Sequence, residues 1–220
     1  MNQGKSVSAG IGLLGGTFDP IHLGHIAIAR EVKEKFGLAR VAIIPAFQNP
    51  LRQHEEIIAG TEDRLVMAHL ASLEEPWLFV DRIEIDHGRH HPGPSYTIDT
   101  LRRYGMRYQD VPLTLLAGAD NVAFHAWKGV EEFEEWLTRI AVVARPEYEV
   151  KVNQDMAVLH KRYPKVAELV EFLSLVNIPL SSTEIRESLR RGEMPEDCLH
   201  PAVALYIRKY GLYGWKGTLE

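Results

Sequence analysis

Apolar positions along this chain follow two alternating periods. Short unbroken apolar runs suit strands buried on both faces of a parallel sheet. Between them, apolar residues return every three or four positions, as on an amphipathic helix. The first run, "IGLLGG" at 11–16, ends in two glycines. Residues 23–36, "LGHIAIAREVKEKF", have helical spacing and stop at Gly37. "RVAIIPA" at 40–46 is a second run, rich in β-branched residues, so the chain is expected to open as β-α-β with a right-handed crossover. After the polar connection "FQNPLRQHEEIIAG", "TEDRLVMAHLASL" predicts a helix with Thr61 as its N-cap. "WLFVDRIEIDH" at 77–87 alternates and predicts a strand with one wetter face. "HGRHHPGPS" predicts a solvated loop carrying His87, His90 and His91, and "TIDTLRRYG" a helix.

The alternation continues with strand "LTLLAGAD", helix "VEEFEEWL" and strand "RIAVVARP". Beyond Pro146 the pattern changes. "DMAVLHKRYPKVAELVEFL" reads as helix with a break at Pro164, and "SLVNIPLSSTEIRESLRRG" as a strand, a capped turn and a helix. "PAVALYIRKYGLYGW" reads as a last helix with Gly211 near its end. The expected architecture is α/β in a single domain. A Rossmann-like, open, mainly parallel, doubly wound sheet spans about 11–146, and a helical C-terminal portion spans about 147–220.

Composition narrows the class. The 220 residues, 45% hydrophobic and 25% charged, are enough for one sizeable core. A net charge of -5 lacks the basic footprint of a nucleic-acid binder. Cys198 is the only cysteine, which rules out an intrachain disulfide and a thiolate metal cluster and fits a reducing compartment. The polar start "MNQGKSVSAG" has no signal-type apolar stretch, and no later segment approaches the ~20 apolar residues of a membrane span. A soluble cytoplasmic protein without a membrane partner is expected.

Candidate chemistry concentrates in "IGLLGGTFDPIHLGHI", 11–26. "GIGLLG" matches the dinucleotide pattern G-x-G-x-x-G, but only a polar N-terminus precedes it, whereas that fingerprint follows a strand. No G-K-[ST] follows the glycines, so a P-loop is not expected. His22 and His25, at i and i+3, can share a helix face, yet "HLGH" lacks the glutamate of H-E-x-x-H and no cysteine or adjacent carboxylate completes a metal set. The remaining reading is a polyphosphate cradle. Gly15 and Gly16 allow close backbone approach, where a β-carbon would collide. The helix beginning near Leu23 offers its amino-terminal dipole end. His22 and His25 can donate to phosphoryl oxygens as charge develops there; the plain alternative is that both only cap the helix. "SSTEIR" places Ser181, Ser182 and Thr183 at a second helix start with Arg186 one turn in, either an anion site or an N-cap beside a solvated arginine.

"GGTFDPIHLGH" and "SSTEIR" resemble the two signatures of the HxGH nucleotidylyltransferase superfamily, [HT]-x-G-H and I-S-S-T-x-x-R. "PSYTIDTL", "GADNVAFHAW", "VVARP" and "YIRKYGLYG" further resemble the bacterial nicotinate-nucleotide adenylyltransferases across nearly the whole chain. The resemblance implies ATP and nicotinate mononucleotide as substrates, magnesium on the phosphates, and deamido-NAD and pyrophosphate as products. It implies in-line attack by the mononucleotide's 5′-phosphate and no covalent enzyme intermediate. Gly15, Gly16 and Thr17 would line the meeting point of the phosphates, Thr17 touching both substrates. His22, His25, Ser182, Thr183 and Arg186 would hold the ATP phosphates, the two histidines and Arg186 acting in catalysis. Gly118 and Asp120 would meet the ATP ribose. Thr97, Trp127 and Lys128 would form the nicotinate pocket, with Arg52 and Arg145 also serving that substrate. Trp127 alone would equally suit a core or an interface. No metal held by protein ligands is implied, and a monomer or homodimer is expected.

The chain departs from the family pattern in two places. "NPLR" stands where P-P-H-[KR] is common, so Leu51 takes the histidine position while Arg52 keeps the basic one, and Leu180 replaces an isoleucine before the last signature. Two rivals share the chemistry, the same transfer to nicotinamide mononucleotide and phosphopantetheine adenylyltransferase, although the latter has no counterpart of "PSYTIDTL". A third, a non-catalytic nucleotide sensor on the same scaffold, conflicts with the intact His22, His25 and Arg186.

Overall fold

A computed structural model describes residues 9–50, 58–118, 123, 127–144, 149–174 and 181–217. In chain order the elements are β1 (Ile11–Gly16), α1 (Leu23–Phe36), β2 (Arg40–Pro45), α2 (Thr61–Ala71), β3 (Leu78–Val80), α3 (Ile83–His90), α4 (Thr97–Arg107) and β4 (Leu113–Gly118). They continue with α5 (Phe133–Trp136), β5 (Arg139–Ala144), α6 (Glu149–Arg162), α7 (Pro164–Glu168), β6 (Val170–Ser174), α8 (Ser182–Arg190) and α9 (Pro201–Tyr210).

The six strands form one sheet in the order β3-β2-β1-β4-β5-β6, and every neighbouring pair is parallel. That is the doubly wound Rossmann order, whose direction of winding reverses between β1 and β4. Both faces are covered, as the unbroken apolar runs predict. Leu14 and Ile43 face a core built with Ile26 and Val32 of α1, Met67 of α2, Ile185 and Leu189 of α8 and Ile207 of α9. Leu13 and Ile44 point the other way, to Ile98 and Leu101 of α4, Phe133 of α5, Leu159 of α6 and Val166 of α7. Truncating a buried leucine such as Leu13 to alanine typically costs about 2–5 kcal/mol. α1 keeps its expected span and ends at Gly37 with φ 61, a left-handed cap that glycine adopts without a β-carbon clash.

Several expectations need correction. The strand anticipated over 77–87 stops at Val80, and most of the remainder is α3. The Asp81 N–H donates to the Ile43 carbonyl at 2.9 Å as the last rung against β2. The next rung would need an N–H at position 45, which is proline. The Asp81 carboxylate instead accepts from the Ile83 N–H at 3.0 Å and opens the helix, which buries Ile85 and Gly88 one turn apart. The histidine-bearing loop accordingly begins at His91, with His87 and His90 inside α3. Thr61 is the first helical residue of α2, while Gly60 holds the cap position. Finally, "VEFL", taken as helix, is β6, which pairs with β5 over Val170–Ser174 and so extends the sheet into the portion expected to be helical. β5 is thereby hydrogen-bonded on its outer edge, a requirement that local periodicity does not encode. "VEEFEEWL" divides into a 3-10 turn, Val130–Glu132, followed by the short α5.

Candidate active site

The carboxyl ends of β1 and β4 are adjacent in the sheet, so Gly15–Gly16 and Gly118 flank the crevice at the reversal point, where open α/β sheets receive ligands. A β-carbon on Gly16 would press on the Phe18 ring at 2.9 Å. One on Gly15 would meet nothing within 4 Å. Within the protein, then, Gly16 is required by the Phe18 ring, whereas Gly15 borders open space.

The loop from β1 to α1 is held by buried charge. Phe18 is left-handed, φ 52, and Asp19–Pro20 is a cis peptide. The buried Asp19 carboxylate accepts from the Ile58 and Ala59 N–H groups at 2.9 and 3.1 Å and from the Tyr213 hydroxyl at 2.8 Å. Arg64 of α2 is only 1% exposed. It donates to the Thr17 carbonyl at 2.6 Å and the Ala46 carbonyl at 2.8 Å, just past the ends of β1 and β2. Burial lowers the Arg64 pKa, opposed by Asp19 and then Tyr213, and a guanidinium stays charged under such a shift. Burial raises the Tyr213 pKa, and Asp19 adds to that, so its hydroxyl remains a donor.

These anchors deliver the histidines. His22 occupies the N-cap of α1 with extended backbone, φ −142, and is buried. His25 lies one turn on, with the two rings 3.8 Å apart between centroids and the Phe18 ring edge-on to His25 at 5.0 Å. The His22 N–H donates to His25 Nδ1 at 3.2 Å. With Nδ1 accepting, a neutral His25 carries its proton on Nε2. Capping and phosphate donation are therefore compatible roles for this pair.

α8 arrives from the far end of the chain. Ser181 caps it, its Oγ accepting from the Glu184 N–H at 3.2 Å. The Ser182 hydroxyl donates to the Pro20 carbonyl at 2.9 Å. Arg186 donates to the Asp19 carbonyl at 2.7 Å and to the Thr183 hydroxyl at 3.2 Å. The two signature segments, 162 and 167 residues apart at these bonds, thus meet directly on the Asp19–Pro20 peptide.

A second assembly lies beside the first. Asn49 donates to the Thr17 hydroxyl at 3.0 Å, and the neighbouring Gln48 carbonyl accepts from the Ser95 N–H at 2.7 Å. Ser95 Oγ in turn accepts from the Phe47 N–H at 3.1 Å. Tyr96 and Thr97 follow at the amino end of α4. Lys128 Nζ sits 4.3 Å from the centre of the Tyr96 ring, and Trp127 meets Phe133 edge-on at 6.1 Å. Gly129, φ 67, packs so closely that a β-carbon would lie 3.0 Å from Ile98. Thr97, Trp127 and Lys128 are therefore gathered in one place. Beneath them Glu84 accepts from the Thr100 hydroxyl at 2.7 Å, and burial raises its carboxyl above the ordinary range. Arg52, Asp120 and Arg145 lie outside the described residues, as do Leu51 and Leu180.

Sequence reasoning overlooked Asp19, Arg64 and Tyr213 as parts of the site. A signal existed for Arg64. Positions 64, 67, 68 and 71 form the buried stripe of α2, and an arginine on such a stripe marks a buried, paired charge. Asp19 was hidden inside a motif whose histidines drew attention, and nothing local links Tyr213 to it.

A family model described as cytidylyltransferase-like matches residues 13–188. A "Probable nicotinate-nucleotide adenylyltransferase" of Aeromonas salmonicida is 35% identical over 219 residues, covering 94% of this chain and 98% of that one. Proteins of the same name from Roseiflexus sp. and Thermus thermophilus are 39% and 38% identical, each covered to 98%, over 94% and 92% of this chain. Among solved structures, the Plasmodium falciparum nicotinic acid mononucleotide adenylyltransferase complexed with NaAD has a TM-score of 0.70. It is 17% identical, covering 96% of this chain and 100% of its own, a likeness of fold.

Proposed function

The chain belongs to the cytidylyltransferase-like family, and within it we propose that this protein transfers AMP from ATP to nicotinate mononucleotide, giving deamido-NAD and pyrophosphate in NAD biosynthesis. One observation carries the reading: α8, with Ser182 and Arg186, is hydrogen-bonded onto the loop that supplies His22 and His25, at the carboxyl edge of the sheet. Imidazoles, a guanidinium and two helix amino termini converge there, a donor set suited to a triphosphate.

The mononucleotide's 5′-phosphate oxygen attacks the α-phosphorus of ATP in line, and the bond to pyrophosphate breaks as the new P–O bond forms. No side chain acts as nucleophile, so the protein contributes positioning and charge stabilisation. His22 and His25 donate to the phosphoryl oxygens, while Ser182, Thr183 and Arg186 hold the triphosphate from the other side. Gly15, Gly16 and Thr17 line the junction of the two substrates, and Gly118 and Asp120 meet the ribose of ATP. Magnesium enters on the phosphates of ATP, as part of that substrate. Trp127 stacks on the electron-poor pyridinium, Lys128 adds charge nearby, and the start of α4 at Thr97 receives the ring carboxylate. Arg52 and Arg145 serve the same substrate. Among the described residues no helix is long and apolar enough to cross a membrane. The reading places the enzyme in the cytoplasm, as monomer or homodimer, without a nucleic-acid partner.

The test is pyrophosphate release with ATP and either pyridine mononucleotide. Backbone N–H groups prefer a carboxylate over a carboxamide, whose NH₂ would face like donors. Nicotinate mononucleotide is expected to be strongly favoured. Equal kcat/KM for both would remove the specificity, and release with neither would remove the function.

A further inference from the structure

Two bulky residues in this protein, Phe18 and Tyr213, adopt left-handed backbone, φ 52 and φ 60, although neither is the Gly or Asn that tolerates it. Such conformations persist where the surroundings impose them, and they gather at functional sites. Here they lie at the two ends of one connection. Phe18 precedes Asp19 in the loop after β1, and the Tyr213 hydroxyl donates to Asp19 Oδ1 across 194 residues. Both rings are buried, at 3% exposure each. Tyr213 belongs to the 3-10 turn Leu212–Gly214 that follows α9, an element that supplies none of the candidate phosphate ligands.

We propose that Tyr213 is a positioning residue for adenylyl transfer, the C-terminal turn acting through Asp19 to hold the loop that presents His22 and receives Arg186. This rests on the function proposed above. Asp19 is the hub: its carboxylate takes three hydrogen bonds from described residues, its own carbonyl takes Arg186, and the next carbonyl, of Pro20, takes Ser182. The backbone amides of Ile58 and Ala59 fix one side of that carboxylate, and only Tyr213 among its hydrogen-bonding partners comes from the C-terminal turn. Without the hydroxyl, the carboxylate and the peptide it carries gain freedom, and the donors around the transferring phosphoryl group lose registry.

The protein supplies its own control. Tyr206, on α9, donates to Asp63 of α2 at 2.9 Å. It is a tyrosine–aspartate bond from the same region that joins α9 to α2 and leaves the Asp19 carboxylate untouched. The experiment compares Tyr213→Phe with Tyr206→Phe in the full chain by steady-state kinetics, thermal unfolding and amide hydrogen exchange over 17–22. With Tyr213→Phe, kcat is expected to fall about tenfold while KM for nicotinate mononucleotide changes by less than about twofold. Exchange over 17–22 should quicken. With Tyr206→Phe, Tm should fall by a comparable few degrees, with kcat and loop exchange as in wild type. If Tyr213→Phe kept wild-type kcat, or lost no more than Tyr206→Phe, the inference would be overturned. Wild-type protein that forms no deamido-NAD would instead defeat the proposed reaction. In that case loop exchange decides whether Tyr213 holds the loop, quickened only in Tyr213→Phe if it does and unchanged if it does not.

Discussion

The sides of the crevice proposed for the phosphates and for the pyridine ring are built by different means. Around Thr17–His25 the holding groups are charged and bridge segments remote in sequence, with the buried Arg64 on the Thr17 carbonyl, the buried Asp19 on three described donors and the half-buried Arg186 on the Asp19 carbonyl. Around Ser95–Thr97 and Trp127–Gly129 the joints are mostly backbone and hydroxyl hydrogen bonds, ring contacts and one close glycine. The difference suits the work proposed for each side. Donors aimed at developing charge must be fixed before reaction, because reorganisation then would raise the barrier. A ring recognised by stacking tolerates small displacements, since dispersion and cation–π attraction vary gently with position.

If this contrast is functional, phosphate-side substitutions act on kcat and pyridine-side ones on KM. The largest effect is expected for His25→Ala, a fall in kcat of about 10²–10³ with KM for nicotinate mononucleotide nearly unchanged. Unaltered circular dichroism beside the kinetics would show that the fold survives, and an unchanged kcat would end the catalytic role. A smaller effect is expected for Trp127→Ala, a rise in KM for the mononucleotide of about thirtyfold, the equivalent of about 2 kcal/mol of lost stacking. A fall in kcat at constant KM would erase the contrast between the two sides.

The smallest effect concerns pH and stability at Glu84, beneath the pyridine side. Burial raises its carboxyl above the ordinary 4.5, outweighing the hydrogen bonds from Thr100 and Ser95. The folded state therefore binds this proton more tightly than the unfolded state. The associated stability is present below pH 4.5 and is lost as pH rises through the folded pKa. Glu84→Gln, which stays neutral, should gain on wild type in urea midpoint as pH climbs from 4.5 towards neutrality. A difference that stays level with pH would show that the carboxyl is not shifted.

Much of this arrangement is legible in the chain. The opening β-α-β, α1 with its Gly37 cap, and the two signature segments follow from apolar period, glycine placement and motif spacing. Edge elements are less legible. "VEFL" is as apolar as a helix face, and only β5's outer edge makes it a strand. β3 ends where it does because a proline on another strand lacks the N–H it would need.

Amino-acid order alone determined the alternation of strands and helices and the chemistry at the end of β1, since both depend on residues within a turn or two of each other. Tertiary structure decided which polar groups became its framework. Arg64 stands on the apolar stripe of α2 with no partner in sight until that helix packs beneath the loop, and Tyr213 reads as a tail residue until the chain returns to Asp19. Periodicity is a local property, whereas satisfying a buried charge depends on which distant segments share its space.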